Sequence, residues 1–503
     1  MSDSATKMVR GASLLVFDTS FSSLVGIAAF ALVSRLITQT EMGIMTVLLM
    51  VTSTSQLAST LGLPNASTKF IAESMGRGDV KTASAIAVQV LKVNIATASI
   101  MALLCFSLSE IFSVHLLGNT QYRFLFQVLA LNVLFSSLLP GLTGILLGLK
   151  RLRELALFGV VSFSLQQTVV VVLLVLRFGL PGIIAGWTVA NLFNCAVFLR
   201  TVARSVPLST SERFDLRVLL RYAWPLYPVA FVSLIDNWFD RVLLLGYPLS
   251  SLGAYNVAFK AFGYLYAIPM AISDGLFPHL SELKSREGVE RLSTTLTLTS
   301  RYLSIIATPL ALGLAATATP IISLFAGRAY VSAGQPLAIL CVAAAISVLG
   351  VVLGKVLLVL DETLLYTSII LGTVVTGLGM GKLLVPLMGP VGASVARAAA
   401  MVLGIVCLVI ATAKRIRLRI DKQALWKSWV SALIMVTVLT LAQLLSKNWL
   451  LMPVYIVLGA LTYMLMLRVL GTVTERDIEL LKRLLGMRVG TPITGFLKTI
   501  LIQ

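Results

Sequence analysis

Stretches of about 20 apolar residues, the length of helix that crosses a bilayer, recur along the chain, and short polar segments separate them. Backbone groups in hydrocarbon must bond within their own segment, so each stretch is expected to be a helix. The pattern predicts an all-α polytopic membrane protein with fourteen spans. They lie near residues 11–34, 42–64, 84–109, 122–148, 155–177, 180–200, 221–245, 251–276, 297–319, 332–360, 363–386, 390–412, 425–446 and 451–470.

Proline residues fall inside two of the predicted spans. Pro225 and Pro228 lie in the seventh span, and Pro269 lies in the eighth. Because proline removes a backbone hydrogen bond from a helix interior, these positions predict bends or local unwinding.

Lysine and arginine are unevenly distributed over the segments between the predicted spans. If the N-terminus is cytoplasmic, fourteen spans place the basic clusters, such as Lys150-Arg151 and Lys414-Arg415, on the cytoplasmic side. The opposite side retains only Arg35, Arg123, Arg177, Arg328 and Lys447. Cytoplasmic loops carry the excess of lysine and arginine in membrane proteins, so both termini are predicted to be cytoplasmic.

Composition narrows the set of partners. Of 503 residues, 58% are hydrophobic and 12% are charged, whereas soluble domains contain about 25% charged residues. The formal net charge of +19 favours anionic membrane lipid over nucleic acid as a partner. We therefore expect a multi-pass protein of the cell membrane that binds no nucleic acid. We also expect it to act as a monomer.

The few cysteines and histidines offer little metal or redox chemistry. The cysteines fall within apolar segments without metal-ligand spacing, and there are only two histidines. Buried free cysteine generally behaves as a small apolar residue. No metal site, cofactor or catalytic residue is therefore predicted.

The chain resembles itself at an offset of 210 residues. Gly43 after the first span corresponds to Gly253 after the seventh, and Gly179-Leu-Pro-Gly182 corresponds to Gly389-Pro-Val-Gly392. Such internal repeats are typical of secondary transporters. The predicted parts are a six-helix lobe at 1–210, a second six-helix lobe at 211–420, two further spans at 421–471 and a cytoplasmic amphipathic tail at 472–503.

Short motifs mark several ends of the predicted spans. The seventh span ends Asp240-Arg241-Val-Leu-Leu-Leu-Gly246, and Leu252-Gly-Ala-Tyr-Asn-Val-Ala258 follows it. Arg35-Leu-Ile with Met42-Gly-Ile-Met marks the first turn, and Gly389-Pro-Val-Gly-Ala-Ser-Val-Ala396 begins the twelfth span. Together these motifs resemble the multidrug/oligosaccharidyl-lipid/polysaccharide (MOP) flippase superfamily, specifically its polysaccharide transporter branch.

The resemblance implies two six-helix lobes, arranged as a V, that open alternately to either side of the membrane. It implies a flippase that moves a lipid-linked oligosaccharide from the cytoplasmic to the outer leaflet for the synthesis of surface polysaccharide or glycoconjugate. Glycosyltransferases or a polymerase of the same pathway are the expected partners. The motifs do not specify the sugar.

Cations inside the predicted spans are the candidates for a substrate site, because a charge at the bilayer centre costs about 2.5–3.5 kcal/mol on insertion scales. Lys92 and Lys260 lie nearest the membrane centre, and we expect them to line a cavity that binds a lipid pyrophosphate. Four further residues are assigned to the same cationic cavity, with snorkelling or a local ion pair as the alternative. They are Arg35, Arg241, Lys355 and Arg397.

Three acidic residues within the spans have two interpretations. Asp18 lies in the first span, and Asp236 and Asp240, four residues apart, share one face of the seventh. These carboxylates would either couple transport to H⁺ or Na⁺ or pair with Lys260 and Arg241. We favour pairing.

Two other functions remain open at this point. A cation-coupled multidrug or organic-cation antiporter of the same fold would use an acid such as Asp18 or Asp236 as its cation site, with no lysine near it. A membrane enzyme, such as an O-antigen ligase or polymerase, would need acid–base or phosphate-binding groups on large outer loops. The predicted outer loops are short, which disfavours an enzyme.

Overall fold

A computed structural model of the chain describes residues 22–209, 212, 214–418, 420–446, 449–473 and 477. This part of the chain is helical and contains no β-strand. In chain order the α-helices are α1 (Ser22–Leu36), α2 (Gln39–Thr60), α3 (Leu63–Gly76), α4 (Val80–Ser107), α5 (Ser109–Leu117), α6 (Arg123–Gly148), α7 (Leu152–Val175), α8 (Gly179–Ser205), α9 (Leu216–Ala223), α10 (Tyr227–Val242), α11 (Leu249–Glu287), α12 (Val289–Ala316), α13 (Ala318–Phe325), α14 (Gly334–Val359), α15 (Thr363–Met388), α16 (Pro390–Ala413), α17 (Lys422–Leu445) and α18 (Met452–Val469).

The helices follow the predicted spans. Eleven helices in the described residues are long and apolar enough to cross a membrane, and the bent pair α9 and α10 makes a twelfth. The first predicted span begins outside the described residues and continues as α1. The eighth predicted span corresponds to α11. This helix has 39 residues but is less apolar than the eleven spanning helices. The prediction of an all-α polytopic membrane protein is confirmed.

The seventh predicted span bends where its prolines lie. α9 and α10 meet at an angle of 49°, and Pro225 lies in the break between them, while Pro228 occupies the first turn of α10. Proline is tolerated in a first turn, where its missing N–H would have no partner. The two prolines therefore separate a short amphipathic helix from the membrane-crossing part of the span.

Packing divides the chain into two compact units. The first comprises Met1–Trp238 with Leu245–Gly253, and the second comprises Phe239–Leu244 with Ala254–Gln503. In the first unit, α3, α4, α6, α8 and α9 share an apolar core around Ile145. In the second unit, α11, α12 and α14 share a core around Val356. The finer division into four parts remains a prediction.

Within the second unit, Arg301 of α12 ties the last two helices to the rest. Its guanidinium lies 3.0 Å from Asp421, which caps α17, and 2.7 Å from Asp477 beyond α18. Tyr302 donates a hydrogen bond of 2.8 Å to the same Asp477. Apart from residues 472, 473 and 477, the predicted cytoplasmic amphipathic tail at 472–503 lies outside the described residues.

A side-chain to backbone hydrogen bond occurs at repeat-related positions in each half. Ser84 of α4 donates to the carbonyl of Pro207, 123 residues later. Ser293 of α12 donates to the carbonyl of Arg417, 124 residues later. Each bond joins the helix of a half's third span to the segment that follows its sixth span. The same contact therefore occurs in both halves.

The repeat-related glycines of α2 and α11 mark a close approach of two backbones. A β-carbon at Gly43 would lie 2.0 Å from the carbonyl oxygen of Leu249, and one at Gly253 would lie 1.9 Å from that of Gln39. All four residues belong to the first unit. Small residues allow helix backbones to approach closely, and here only glycine fits.

Candidate functional site

A buried ion cluster joins α10, α11 and α16 within the second unit. Asp240, near the end of α10, is completely buried. One carboxylate oxygen accepts a hydrogen bond of 3.0 Å from Nε of Arg397 and one of 2.7 Å from the hydroxyl of Tyr255. The other oxygen lies 3.4 Å from Nε of Arg241. Two guanidinium groups and a phenol therefore share one carboxylate.

Aromatic rings cover the two guanidinium groups. Arg397 lies 4.0 Å from the ring centroid of Phe239, and Arg241 lies 4.0 Å from that of Phe259. A cation over an aromatic face is stabilised most when it is desolvated, and only 3% of Arg241 is exposed. The rings shield the cluster from solvent, and a lower local dielectric strengthens its ionic interactions.

Glycines of α15 make room for the residues beside Asp240. A β-carbon at Gly377 would lie 2.5 Å from the ring of Phe239, and one at Gly381 would lie 2.2 Å from the side chain of Leu243. Larger residues at either position would push α15 away from α10. The two glycines therefore allow α15 to pack closely against the residues that flank Asp240.

Lys260 extends the positive charge of the cluster to an exposed position. On α11 it follows Phe259, whose ring lies over Arg241, and its side chain is exposed at the protein surface. Among the described side chains, no carboxylate pairs with Lys260. Three cations and one carboxylate thus occur together, so this part of the second unit favours an anion.

Lys355 and Asp274 form a separate ion pair between α14 and α11. Nζ of Lys355 lies 2.7 Å from Oδ1 of Asp274 and 5.7 Å from the ring centroid of Phe277. The Asp274 side chain remains 56% exposed. Sequence reasoning singled out Lys355 but missed Asp274, although an acidic residue inside a predicted span was an available signal.

The other predicted site residues have different surroundings. Lys92 and Arg35 are exposed in the first unit, and Asp236 is half-buried on α10. Asp18 lies outside the described residues. Of the predicted cavity residues, Arg241 and Arg397 are buried, and both bind Asp240.

Metal-ligating side chains are not clustered in the described part of the chain. No group of three His, Cys, Asp or Glu residues there could hold a metal ion. The four cysteines are free thiols, and three of them are buried.

Comparisons with known proteins bear on both the fold and the family. A family model described as "Polysaccharide biosynthesis protein" matches residues 32–335. No curated protein matches the chain.

Several solved structures share the fold. The lipid II flippase MurJ, in an inward closed conformation, is 15% identical over 93% of this chain and 99% of its own, with a TM-score of 0.74. An inward-facing multidrug resistance MATE family transporter of the MOP superfamily is 14% identical over 79% of this chain and 94% of its own, with a TM-score of 0.66. A MOP superfamily transporter from Pyrococcus furiosus is 15% identical over 82% and 95%, with a TM-score of 0.56.

The two kinds of similarity support each other. The solved structures show that the chain has the fold of flippases and transporters, and the family model covers more than half of the sequence. The chain therefore belongs to the polysaccharide biosynthesis protein family and has the fold shared by the MurJ flippase and the MATE transporter.

Proposed function

We propose that the protein translocates a lipid-linked oligosaccharide, a polyprenyl phosphate or pyrophosphate glycan, across the cytoplasmic membrane by alternating access. Membership of a polysaccharide biosynthesis family and a fold shared with a lipid II flippase support this function. The observation that carries the proposal is the exposed Lys260 beside the buried Arg241 and Arg397.

An anionic headgroup needs compensating positive charge where the dielectric is low. Lys260 is exposed and would contact the phosphate directly. Arg241 and Arg397 are buried, so they would act through their electric field rather than through contact. Lys92, Arg35 and Lys355 are proposed as further cations along the path of the substrate.

The fold alone does not select the substrate, because a multidrug transporter shares it. An organic-cation antiporter needs an accessible carboxylate. Asp240 is instead completely buried and bound to Arg241, Arg397 and Tyr255. This pairing removes Asp240 as a cation site, whereas the half-buried Asp236 stays available in either function. Asp18 or Asp236 would then be the carboxylate that couples transport to H⁺ or Na⁺.

We further propose that both termini are cytoplasmic and that the chain acts as a monomer surrounded by membrane lipids. Its partners would be the glycosyltransferases that complete the lipid-linked glycan or the polymerase that consumes it. None of these roles requires a metal or a cofactor.

Translocation by the purified full chain tests the proposal. Proteoliposomes receive a fluorescent polyprenyl diphosphate-linked glycan, and a membrane-impermeant quencher reports its movement between leaflets. Lys260→Ala and Lys92→Ala are each expected to lower the initial rate at least about tenfold, which corresponds to about 1.4 kcal/mol in the activation barrier. Their yields of folded, membrane-inserted protein should equal that of the unmodified chain.

Lys382→Ala is the matched control. Lys382 is also an exposed lysine on a spanning helix, but it lies near the end of α15, where its ammonium can reach the membrane surface. Its loss should leave the rate unchanged. Full activity of both Lys260→Ala and Lys92→Ala would contradict the cationic path, and transport of organic cations without glycan transport would favour the antiporter.

A further inference from the structure

We infer that the Asp274–Lys355 pair forms a binding subsite for sugar hydroxyl groups, reached by the distal part of the glycan when its phosphate lies at Lys260. The inference rests on the proposed function and adds a recognition site for the oligosaccharide to a site for its anionic headgroup.

The face of α11 between Lys260 and Asp274 is open. Its exposed residues include Gly263, Ala267, Ala271 and Gly275. No described atom lies within 4 Å of the position that a β-carbon would take at Gly263 or Gly275. α11 is also long enough to cross a membrane but less apolar than the eleven spans. A helix face of small residues with a charged residue at each end suits water and a polar ligand rather than hydrocarbon.

The ion pair retains unused hydrogen-bonding capacity. Oδ1 of Asp274 binds Lys355, while 56% of the Asp274 side chain and 28% of the Lys355 side chain stay exposed. A carboxylate accepts several hydrogen bonds and an ammonium donates three. The pair therefore presents acceptors and donors side by side, an arrangement that matches neighbouring hydroxyl groups on a sugar ring. Such charge-assisted bonds are roughly twice as strong as neutral ones.

Phe277 adds an apolar surface to the same place. It lies on α11 just beyond Asp274, is half-buried, and its ring centroid is 5.7 Å from Nζ of Lys355. Sugar rings carry C–H groups on one face, and an aromatic ring offers a flat apolar surface against which they can pack. A phosphate gains no stabilisation from an aromatic ring. The combination of an ion pair and an aromatic ring therefore favours a saccharide.

The spacing of the two sites predicts which sugars reach the pair. The helical rise of 1.5 Å per residue separates Lys260 from Asp274 by about 21 Å along α11. This distance exceeds one sugar ring, so the sugar attached to the phosphate would not reach Asp274. The subsite would therefore distinguish a long glycan from a short one.

Binding measurements on the purified full chain in nanodiscs test the inference. The probes are farnesyl diphosphate, farnesyl diphosphate bearing one sugar, and a panel bearing neutral tetrasaccharides of glucose, galactose, mannose or N-acetylglucosamine. At least one tetrasaccharide probe should bind about tenfold more tightly than farnesyl diphosphate, or about 1.4 kcal/mol. Asp274→Ala should remove this gain and leave the affinities for the two shorter probes unchanged.

Asp361→Ala is the matched control. It breaks the 2.6 Å ion pair with Lys284, which joins α11 to the end of α14 as the Asp274–Lys355 pair joins the same helices. The gain should survive this change. If Asp361→Ala also removed the affinity gain, the two ion pairs would act only as ties between helices, and the inference would be wrong.

The outcomes separate this inference from the proposed function. Lys260→Ala should weaken the binding of all probes by the same factor. If no tetrasaccharide probe gains affinity, or if Asp274→Ala retains the gain, the sugar subsite is refuted while binding of the diphosphate at Lys260 stands. If Lys260→Ala leaves every affinity unchanged, the proposed anionic headgroup site itself fails.

Discussion

Asp240 neutralises two buried arginines, so its removal would leave both charges without a counter-ion. Breaking a buried ion pair by removing one partner costs about 3–5 kcal/mol. We expect Asp240→Ala to lower the free energy of unfolding by this amount, measured by denaturation of the purified protein in detergent. Glu110→Ala, which breaks an ion pair with Arg123 that is more than half exposed, should cost only about 0–1 kcal/mol. Similar small losses in both variants would contradict the importance of the cluster.

The partners of Asp240 differ in how far the sequence reveals them. Arg241 is its chain neighbour, and the pairing of these two residues was favoured from the sequence. Arg397 lies 157 residues away, and only the packing of α16 beside α10 brings it to the carboxylate. Asp274 was overlooked for a related reason, because its partner Lys355 belongs to another helix and no local pattern connects them.

At the scale of helices, the crossing of α2 and α11 depends on glycine. A methyl group at Gly253 would meet the carbonyl oxygen of Gln39 at 1.9 Å, so Gly253→Ala must displace one helix. We expect a loss of about 1–3 kcal/mol in unfolding free energy, the usual range for overpacking. Denaturation in detergent again provides the measurement.

Gly372→Ala is the control for this crossing. Gly372 lies inside α15, and nothing is within 4 Å of its β-carbon position. Alanine there should stabilise the helix by up to about 1 kcal/mol, because glycine has the lower helix propensity. If both substitutions stabilise the protein, the two helices do not need this close approach.

Most helices could be predicted because the thickness of a bilayer fixes the length of an apolar span. The ends of the helices could not. The eighth span was predicted to end at residue 276, whereas α11 continues to Glu287. A helix can extend beyond the hydrocarbon. Here α11 ends before Gly288, whose φ of +78° lies outside the helical region and favours glycine.

For the whole molecule, the membrane orientation predicted from loop charges can be tested directly. In a variant whose four cysteines are replaced by serine, Gln121→Cys should react with an impermeant maleimide on intact cells. Arg153→Cys should react only after permeabilisation. Both positions are exposed and lie in or beside the segments that separate successive spans. The reverse labelling pattern would invert the predicted topology.

The serine bonds of α4 and α12 have a consequence for the history of the chain. The donors, Ser84 and Ser293, are the same residue type, whereas the acceptor carbonyls belong to Pro207 and Arg417. Every residue carries a backbone carbonyl, so an acceptor position can mutate freely after a gene duplication, while the donor position must keep a hydroxyl group. Ancestral reconstruction of a single half should therefore retain serine or threonine at this position even where most of the neighbouring residues differ.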